Sequence, residues 1–561
     1  MVTSAKEEVQ LLVELMKQSN ITHVVLSPGS RNAPLTIAID EDPFFTVFVI
    51  TDERSAAFYA LGMAQQLKRP VAIACTSGSA PLNYFPAVVE AFYQQIPLVV
   101  LTADRPTEWI DHGDGQTIRQ QNAFGTHVLD FYHLVQFFNA DKKWQAQLRI
   151  SELLQKATTK KGPVHINIPF TEPLYEQVET NGKYDAVLVK NPAPVKYLSE
   201  VAKSEIKGLI GKSKKCMLVV GQKDKNPELD HLIIQLAEEQ KVAVLVEHTS
   251  NVHAENVIEP IDSVLAIVGE DSNYKPDLVV QIGGAVISKR IKKYLRDSGA
   301  KVISVNQQFI FSDVFQGLVL SLDVELLDFL HFFREAVSGS GLSLLGSLWS
   351  DAKVKMLQKH HQFSANVQFS DFKVVETIMK SVSAPSKVHF SNSSMVRYGL
   401  LFPNLFKGEV YCNRGTSGID GCTSTTAGAA IIDSESLHIL LTGDLSFFYD
   451  SNALWNAHVP ANLRIIMVNN GGGDIFNIIP GPSSTNQLSK VFVAEHTYDA
   501  QKICEGFRIS YASATNQEEL ENELQLFLDP SDQRAKVLEV HTTGIQNSAI
   551  LKSYFEELSQ K

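Results

Sequence analysis

Three side chains carry most of the chemistry this sequence could perform: Asp444, Asn470 and Glu53. In LHILLTGDLSFFYDSNALWNAHVPANLRIIMVNNGGGDIF (Leu437–Phe476), an apolar run ends on Gly443-Asp444 and a helical stretch follows. A second apolar run then ends on Asn469-Asn470-Gly471, with Asn470 twenty-six positions after Asp444. Two neighbouring parallel strands would bring the Asp444 carboxylate, the Asn470 amide oxygen and the Gly472 carbonyl to one sheet edge. Such a hard oxygen set suits Mg²⁺, which keeps several waters and completes its octahedron with substrate phosphates. The glycines let backbone approach phosphate closely, and a helix beginning at Asp444 offers N–H donors. Gly-Asp and Asn-Gly are also ordinary turn dipeptides. Their placement on consecutive strand ends is what favours the cation site. A second Gly-Asp, in HGDGQ (His112–Gln116), has no apolar strand running into it, and Asn139 stands alone downstream, so it is rejected as a metal site.

The other acid lies in VFVITDERSAAFYALGMA (Val47–Ala64). Val47-Phe48-Val49-Ile50 reads as a buried strand of a parallel sheet, and Arg54–Ala64 reads as the helix behind it. Asp52 and Glu53 therefore stand between a strand end and a helix start. By themselves both acids could simply complement the helix dipole. Arginines are the preferred bidentate partners of carboxylates. Arg31, Arg105, Arg290, Arg397 and Arg414 all fall on strand-end or glycine-rich loops. Singly each suits a surface position, whereas together they suit a pocket for several anions. His360-His361 has no companion ligands nearby and reads as a solvated helix face.

These residues need rigid elements to position them, and strand–helix alternation supplies three sets. The first has candidate strands His23–Ser27, Phe45–Thr51, Val71–Thr76, Leu98–Ala103 and Val164–Pro169. The second has Cys216–Gln222, Val242–His248, Asp277–Gly284 and Lys301–Gln307, without a GxGxxG dinucleotide fingerprint. The third begins near Asp371 with a helix and holds the Asp444 and Asn470 strands. The expected fold class is α/β, with three doubly wound, mostly parallel-sheet domains over 1–180, 195–340 and 365–561. Linkers are expected at Val187–Glu200 and Val337–Ser347. Ligands on such sheets sit beyond the strand carboxyl ends.

Bulk properties narrow the function. At 561 residues the chain exceeds one ordinary core. Its net charge of −12 argues against nucleic acid or a membrane surface as partner. Five cysteines without a CxxC pair suit free thiols in a reducing compartment. The opening MVTSAKEEVQLLVELMKQ reads as neither signal nor transit peptide, and no apolar run is long enough to span a bilayer, so a cytoplasmic setting is expected.

Gly443-Asp444 through Asn469-Asn470-Gly471 resembles the thiamine-diphosphate motif, and the three blocks resemble that superfamily's pyrimidine, middle and diphosphate-binding domains. The match goes closer in LSPGSRNAPL (Leu26–Leu35), TSGSAPLNYFPAVVEA (Thr76–Ala91), LTADRP (Leu101–Pro106), GQTIRQ (Gly115–Gln120), SKR (Ser288–Arg290), NSSMVR (Asn392–Arg397), NRGTSGIDG (Asn413–Gly421) and GDLSFFYD (Gly443–Asp450). In family order and over essentially the whole chain, these resemble the 2-succinyl-5-enolpyruvyl-6-hydroxy-3-cyclohexene-1-carboxylate synthases of menaquinone biosynthesis. Leu445 stands where the wider superfamily usually has glycine, a departure this family tolerates.

The resemblance implies a transferase that uses thiamine diphosphate with Mg²⁺ or Mn²⁺. It would decarboxylate 2-oxoglutarate and add the succinyl carbanion equivalent 1,4 to isochorismate. It implies Glu53 as the acid against N1′ of the aminopyrimidine, leaving Asp52 to the helix dipole. Thr76, Gly78, Ile419, Gly443, Asp444, Leu445, Ser446, Asn470, Gly472 and Ile475 would hold the cofactor, with Asp444, Asn470 and Gly472 on the metal. Ile419 would be the apolar wedge beneath the cofactor. Arg397 and Arg414 would take the succinyl carboxylate, Ser30, Arg31, Arg105, Gln116, Lys289 and Arg290 isochorismate, and Ser393 would line the reaction centre. Phe476 and Ile475 would wall off water. The superfamily builds its sites between subunits, so a homodimer or homotetramer is implied. Two alternatives remain: an acetolactate-synthase-like or 2-oxoacid decarboxylase, and a non-catalytic α/β binding protein.

Overall fold

The computed structural model describes residues 2–560 apart from 307, 308, 310, 403–405 and 480, and apart from the side chain at 545. Met1 and Lys561, the outer limits of the expected domains, and Gln307, the end of an expected strand, lie outside the described residues. Three wholly parallel sheets form the frame. The first runs, in spatial order, Thr46–Val49, His23–Leu26, Val71–Cys75, Leu98–Asp104, Pro163–Pro169, Phe131–His133. The second runs Val242–Val246, Cys216–Val220, Leu278–Ile282, Lys301–Val305, Leu318–Leu322. The third runs Glu409–Cys412, Lys387–Phe390, His438–Gly443, Leu463–Asn469, Lys536–His541, Ser510–Ala514. First and third sheets thus share one strand order, with the first strand of each second from the edge. A short antiparallel ribbon pairs Val2–Ser4 with Gln177–Glu179.

Central strands such as Val71–Cys75, Cys216–Val220 and Leu278–Ile282 are buried along their whole length, as parallel strands covered by helices on both faces must be. Besides the short ribbon, three strands of the parallel sheets escaped the sequence patterns among the described residues: Phe131–His133, Leu318–Leu322 and Ser510–Ala514. Each is the outer strand of its sheet and only partly buried, so its apolar signal is weak. The strand before Glu53 is a correction. Thr46–Val49 is an edge strand, not a buried one, and Val49 is 48% exposed because no strand lies beyond it.

Residues 187–199 carry no regular structure, and helix Glu200–Gly211 follows. Within Val337–Ser347, the non-helical stretch is confined to the residues between helices Leu326–Ser338 and Leu345–Asn366. The second of these corrects the reading of His360. His360 is 2% exposed, and its Nδ1 lies 2.9 Å from the Tyr554 hydroxyl, while His361 alone faces solvent. Burial among Phe372, Phe402 and Tyr554 pushes the His360 imidazole down to about 4, so it packs as a neutral ring. All five cysteines are free and buried. Among the described residues, no helix is long and apolar enough to cross a membrane.

First and third modules meet through two helices, Glu53–Leu67 and Cys422–Ile432. Their backbones approach so closely that a Cβ on Gly62 would lie 1.9 Å from the Thr425 carbonyl oxygen. One on Gly428 would lie 2.0 Å from that of Tyr59. The middle module meets the third through Asn251, which accepts from Val410 N at 2.7 Å and donates to Val410 O at 3.1 Å.

Candidate active site

Strands His438–Gly443 and Leu463–Asn469 are hydrogen-bonded neighbours in register, with Gly443 opposite Val468. Asp444 and Asn470 therefore leave the sheet side by side. Asp444 opens helix Asp444–Tyr449 and is 2% exposed. Its Oδ1 accepts from Leu445 N at 2.6 Å, and its Oδ2 accepts from Gly471 N at 3.0 Å and Gly472 N at 2.9 Å. Burial raises its carboxyl above the ordinary range, while these N–H groups and nearby His496 pull it back. Asn470 donates through Nδ2 to Asp371 at 2.9 Å, and among the described residues its buried Oδ1 has no partner. A buried oxygen without a hydrogen-bond partner, on the strand end next to a carboxylate, is suited to a cation. Gly472 has φ +148°, and a Cβ there would lie 2.6 Å from the Val493 carbonyl oxygen, so the loop requires glycine. The predicted oxygen set therefore fits a hard divalent cation. Among the described residues no cluster of three or more His, Cys, Asp or Glu could hold a metal, so the set depends on an amide and a peptide oxygen.

Around this loop, Ser446 is buried and donates to the Ile419 carbonyl at 2.9 Å, which places half-buried Ile419 above the Asp444 helix. Ile475 is buried, and Phe476 packs on Phe492 with ring centroids 5.6 Å apart. Two residues were missed in the sequence. His496 Nε2 lies 3.3 Å from Asp444 Oδ2, and Asp371 grips Asn470. Neither belongs to a short local pattern, being 52 positions after Asp444 and 99 before Asn470.

Arg397 and Arg414 form a second group. Arg414 donates through Nη1 to Asn392 Oδ1 at 2.8 Å, and Asn392 Nδ2 donates to the Asn413 and Gly418 carbonyls. Arg397 donates to the Ser393 carbonyl. Ser393 has φ +71°, a strained conformation of the kind concentrated at functional sites. Burial, and then Arg414, depress the Arg397 guanidinium; burial depresses Lys292 too, again with Arg414 against it. Two desolvated cations repelling one another make a pocket that favours anions. Lys289 and Arg290 open helix Lys289–Ser298, capped by Ser288, whose backbone N and that of Ile287 donate to buried Glu247. Arg290 stacks 3.6 Å over the Phe555 ring.

In the first module, Asp52 caps helix Glu53–Leu67, accepting from Ser55 N at 2.9 Å and from Asn452 Nδ2 at 2.6 Å. Its role as a helix-start acid matches the expectation. Glu53 is half-buried; desolvation raises its carboxyl, with Asp52 adding repulsion and Asn83 opposing by hydrogen bonding. Gly29 lies against Thr76, where a Cβ would come within 2.3 Å of the Thr76 Cβ, and Gly78 (φ +86°) faces Gln116. The Ser30, Thr76–Gly78 and Gln116 loops are therefore contiguous. Buried Gln120 ties them down, accepting from Gly78 N at 3.0 Å and donating to the Ala103 carbonyl at 3.0 Å. Arg105 Nε lies 3.6 Å from Asp114. Arg31 is 4% exposed and spends Nη1 on the Phe170 carbonyl, leaving Nε unpartnered. Within one chain, the residues flanking Glu53 reach the third module: Asp52 accepts from Asn452 Nδ2 at 2.6 Å, and Arg54 donates to the Tyr449 carbonyl at 2.6 Å. Glu90 joins the arginine loop to the first module, accepting from Gly415 N and Thr416 N at 2.7 and 2.6 Å.

Comparison with known proteins agrees with this geometry. Residues 7–124 match the family model described as thiamine pyrophosphate enzyme, N-terminal TPP binding domain. A 2-succinyl-5-enolpyruvyl-6-hydroxy-3-cyclohexene-1-carboxylate synthase of Flavobacterium psychrophilum is 41% identical over 98% of both chains. Its namesake in Flavobacterium johnsoniae is 39% identical, again over 98% of both. One in Bacteroides thetaiotaomicron is 34% identical over the full length of each. With three parallel sheets, a thiamine-type carboxylate–amide loop and similarity that runs from end to end, this chain belongs to the 2-succinyl-5-enolpyruvyl-6-hydroxy-3-cyclohexene-1-carboxylate synthase family of thiamine-diphosphate enzymes.

Proposed function

We propose that this chain decarboxylates 2-oxoglutarate and adds the succinyl unit 1,4 to isochorismate, releasing CO2, as a transferase of menaquinone biosynthesis. The observation that carries this reading is the buried, unpartnered Asn470 Oδ1 beside the Asp444 carboxylate, on a loop that only glycine can form. Asp444, Asn470 Oδ1 and the Gly472 carbonyl would hold Mg²⁺ or Mn²⁺, and Gly443, Leu445 and Ser446 would border the diphosphate. Thr76 and Gly78 would border the aminopyrimidine. Bound thiamine diphosphate supplies the electron sink that lets a 2-oxoacid lose CO2.

The protein's own part is positioning and proton control. Glu53, with its carboxyl held up by desolvation, shares a proton with N1′ of the aminopyrimidine. Ile419 supports the cofactor from below, and Ile475 and Phe476 exclude water. Arg397 and Arg414 bind the distal carboxylate of 2-oxoglutarate, and Ser393 lines the reaction centre. Ser30, Arg31, Arg105, Gln116, Lys289 and Arg290 bind the two carboxylates of isochorismate. The stretches 1–180, 195–340 and 365–561 act as pyrimidine, middle and diphosphate domains. Because enzymes of this superfamily build their sites between subunits, a homodimer or homotetramer in the cytoplasm would complete each site with a neighbour's Glu53.

The test is purified protein with thiamine diphosphate and Mg²⁺, given 2-oxoglutarate with and without isochorismate. Loss of isochorismate matched by release of CO2 is the expected result. Turnover of pyruvate but not 2-oxoglutarate would point instead to an acetolactate-synthase-like enzyme. Neither turnover nor cofactor binding would leave a binding protein.

A further inference from the structure

Asp371 is fully buried at the head of helix Asp371–Ser381, and the reaction described above makes no use of it. Its Oδ2 accepts from Asn470 Nδ2 at 2.9 Å, and its Oδ1 accepts from Thr542 Oγ1 at 2.6 Å. Its backbone N donates to Asn547 Oδ1 at 2.9 Å, which anchors the helix start. An asparagine amide presents a donor on one side and an acceptor on the other, and a half-turn about its last bond exchanges them. An ionised carboxylate only accepts, so it selects the nitrogen. The oxygen must then face the opposite way, where Asn470 Oδ1 is buried with no partner among the described residues.

We propose that Asp371 is a positioning residue that fixes the amide of Asn470 so that oxygen, not nitrogen, faces the divalent cation. The inference rests on the reading of Asp444, Asn470 and Gly472 as the cation set. Outer groups that orient a ligand commonly change metal affinity by about 10–100-fold when removed. Without the carboxylate, the amide is free to turn its N–H groups toward the cation.

The experiment is Mn²⁺ binding followed by electron paramagnetic resonance, on the full-length protein with thiamine diphosphate. Asp371→Asn is expected to weaken Mn²⁺ binding by about 10–100-fold. The exchange Asp371→Asn with Asn470→Asp is expected to recover much of that loss. The amide at 371 then donates to the new carboxylate at 470, which still offers an oxygen outward. Unchanged Mn²⁺ affinity in Asp371→Asn, or an exchange variant no better than the single one, overturns the inference alone. Wild-type protein that takes up no Mn²⁺ overturns the cation reading and the inference with it. Should Asp371→Asn fail to fold, a crystal structure of the wild type with Mn²⁺ decides. Asn470 Nδ2 on Asp371 with Oδ1 on the metal supports the inference, and Nδ2 turned away from Asp371 overturns it.

Discussion

Asp52 and Glu53 are adjacent carboxylates with different environments and separate tasks. Asp52 is spent on the helix start: it accepts Ser55 N and Asn452 Nδ2. Asp52→Ala should cost about 1 kcal/mol of stability, the usual loss for an N-cap. Urea denaturation checks this, with thiamine-dependent turnover per folded molecule little changed. Glu53 has its carboxyl raised by desolvation, which favours its protonated form relative to an exposed glutamate. Glu53→Gln should keep the fold and most cofactor affinity, yet slow exchange of the bound cofactor's C2 proton by about 10²–10⁴-fold. Exchange at the wild-type rate, followed by proton NMR, would remove Glu53 from its assigned role.

Among the elements, the pair of helices Glu53–Leu67 and Cys422–Ile432 is the tightest joint between modules. Gly62 and Gly428 allow backbone to touch backbone, and no side-chain movement can make room for a methyl group there. Gly428→Ala should destabilise the protein by about 1–3 kcal/mol or more, as overpacking does. A thermal melt unchanged from wild type would show that the two helices do not meet this way. Because Glu53 is the first residue of one of these helices, the same substitution should also lower cofactor affinity. Helix Lys289–Ser298 shows the same dependence of a site on its support. Its start is fixed by Glu247, which accepts from Ile287 N and Ser288 N.

At the scale of the whole molecule, buried acids make stability depend on pH. Glu247 is 1% exposed, and burial pushes its carboxyl up to about 7, with the two N–H bonds opposing, Asp262 adding and Lys292 subtracting. Its unfolded value is about 4.3. The folded chain therefore binds a proton more tightly than the unfolded chain. That contribution is complete below about 4.3 and is lost as pH rises through about 7. Glu247→Gln cannot titrate, so its stability relative to wild type should improve between pH 5 and 8. Denaturation midpoints compared across that range check this, and a constant difference would show that Glu247 is ionised throughout. Asp371, Asp450 and Asp474, raised by burial to about 6, 7 and 7, act in the same direction in both proteins and cancel in the comparison.

Sequence alone determined the α/β class, the central strands and the Gly443-Asp444 to Asn470 loop, because each is written in local pattern. Buried parallel strands need continuous apolar runs, and a loop that passes as close to the Val493 carbonyl as this one does needs glycine at position 472. Family motifs added the residues around them. The tertiary structure decided what depends on partners far along the chain. It moved Thr46–Val49 to a sheet edge, buried His360 against Tyr554, and set Asp371 on Asn470 across 99 positions. Contacts of that kind come from the order in which strands stack, which no short stretch of residues encodes.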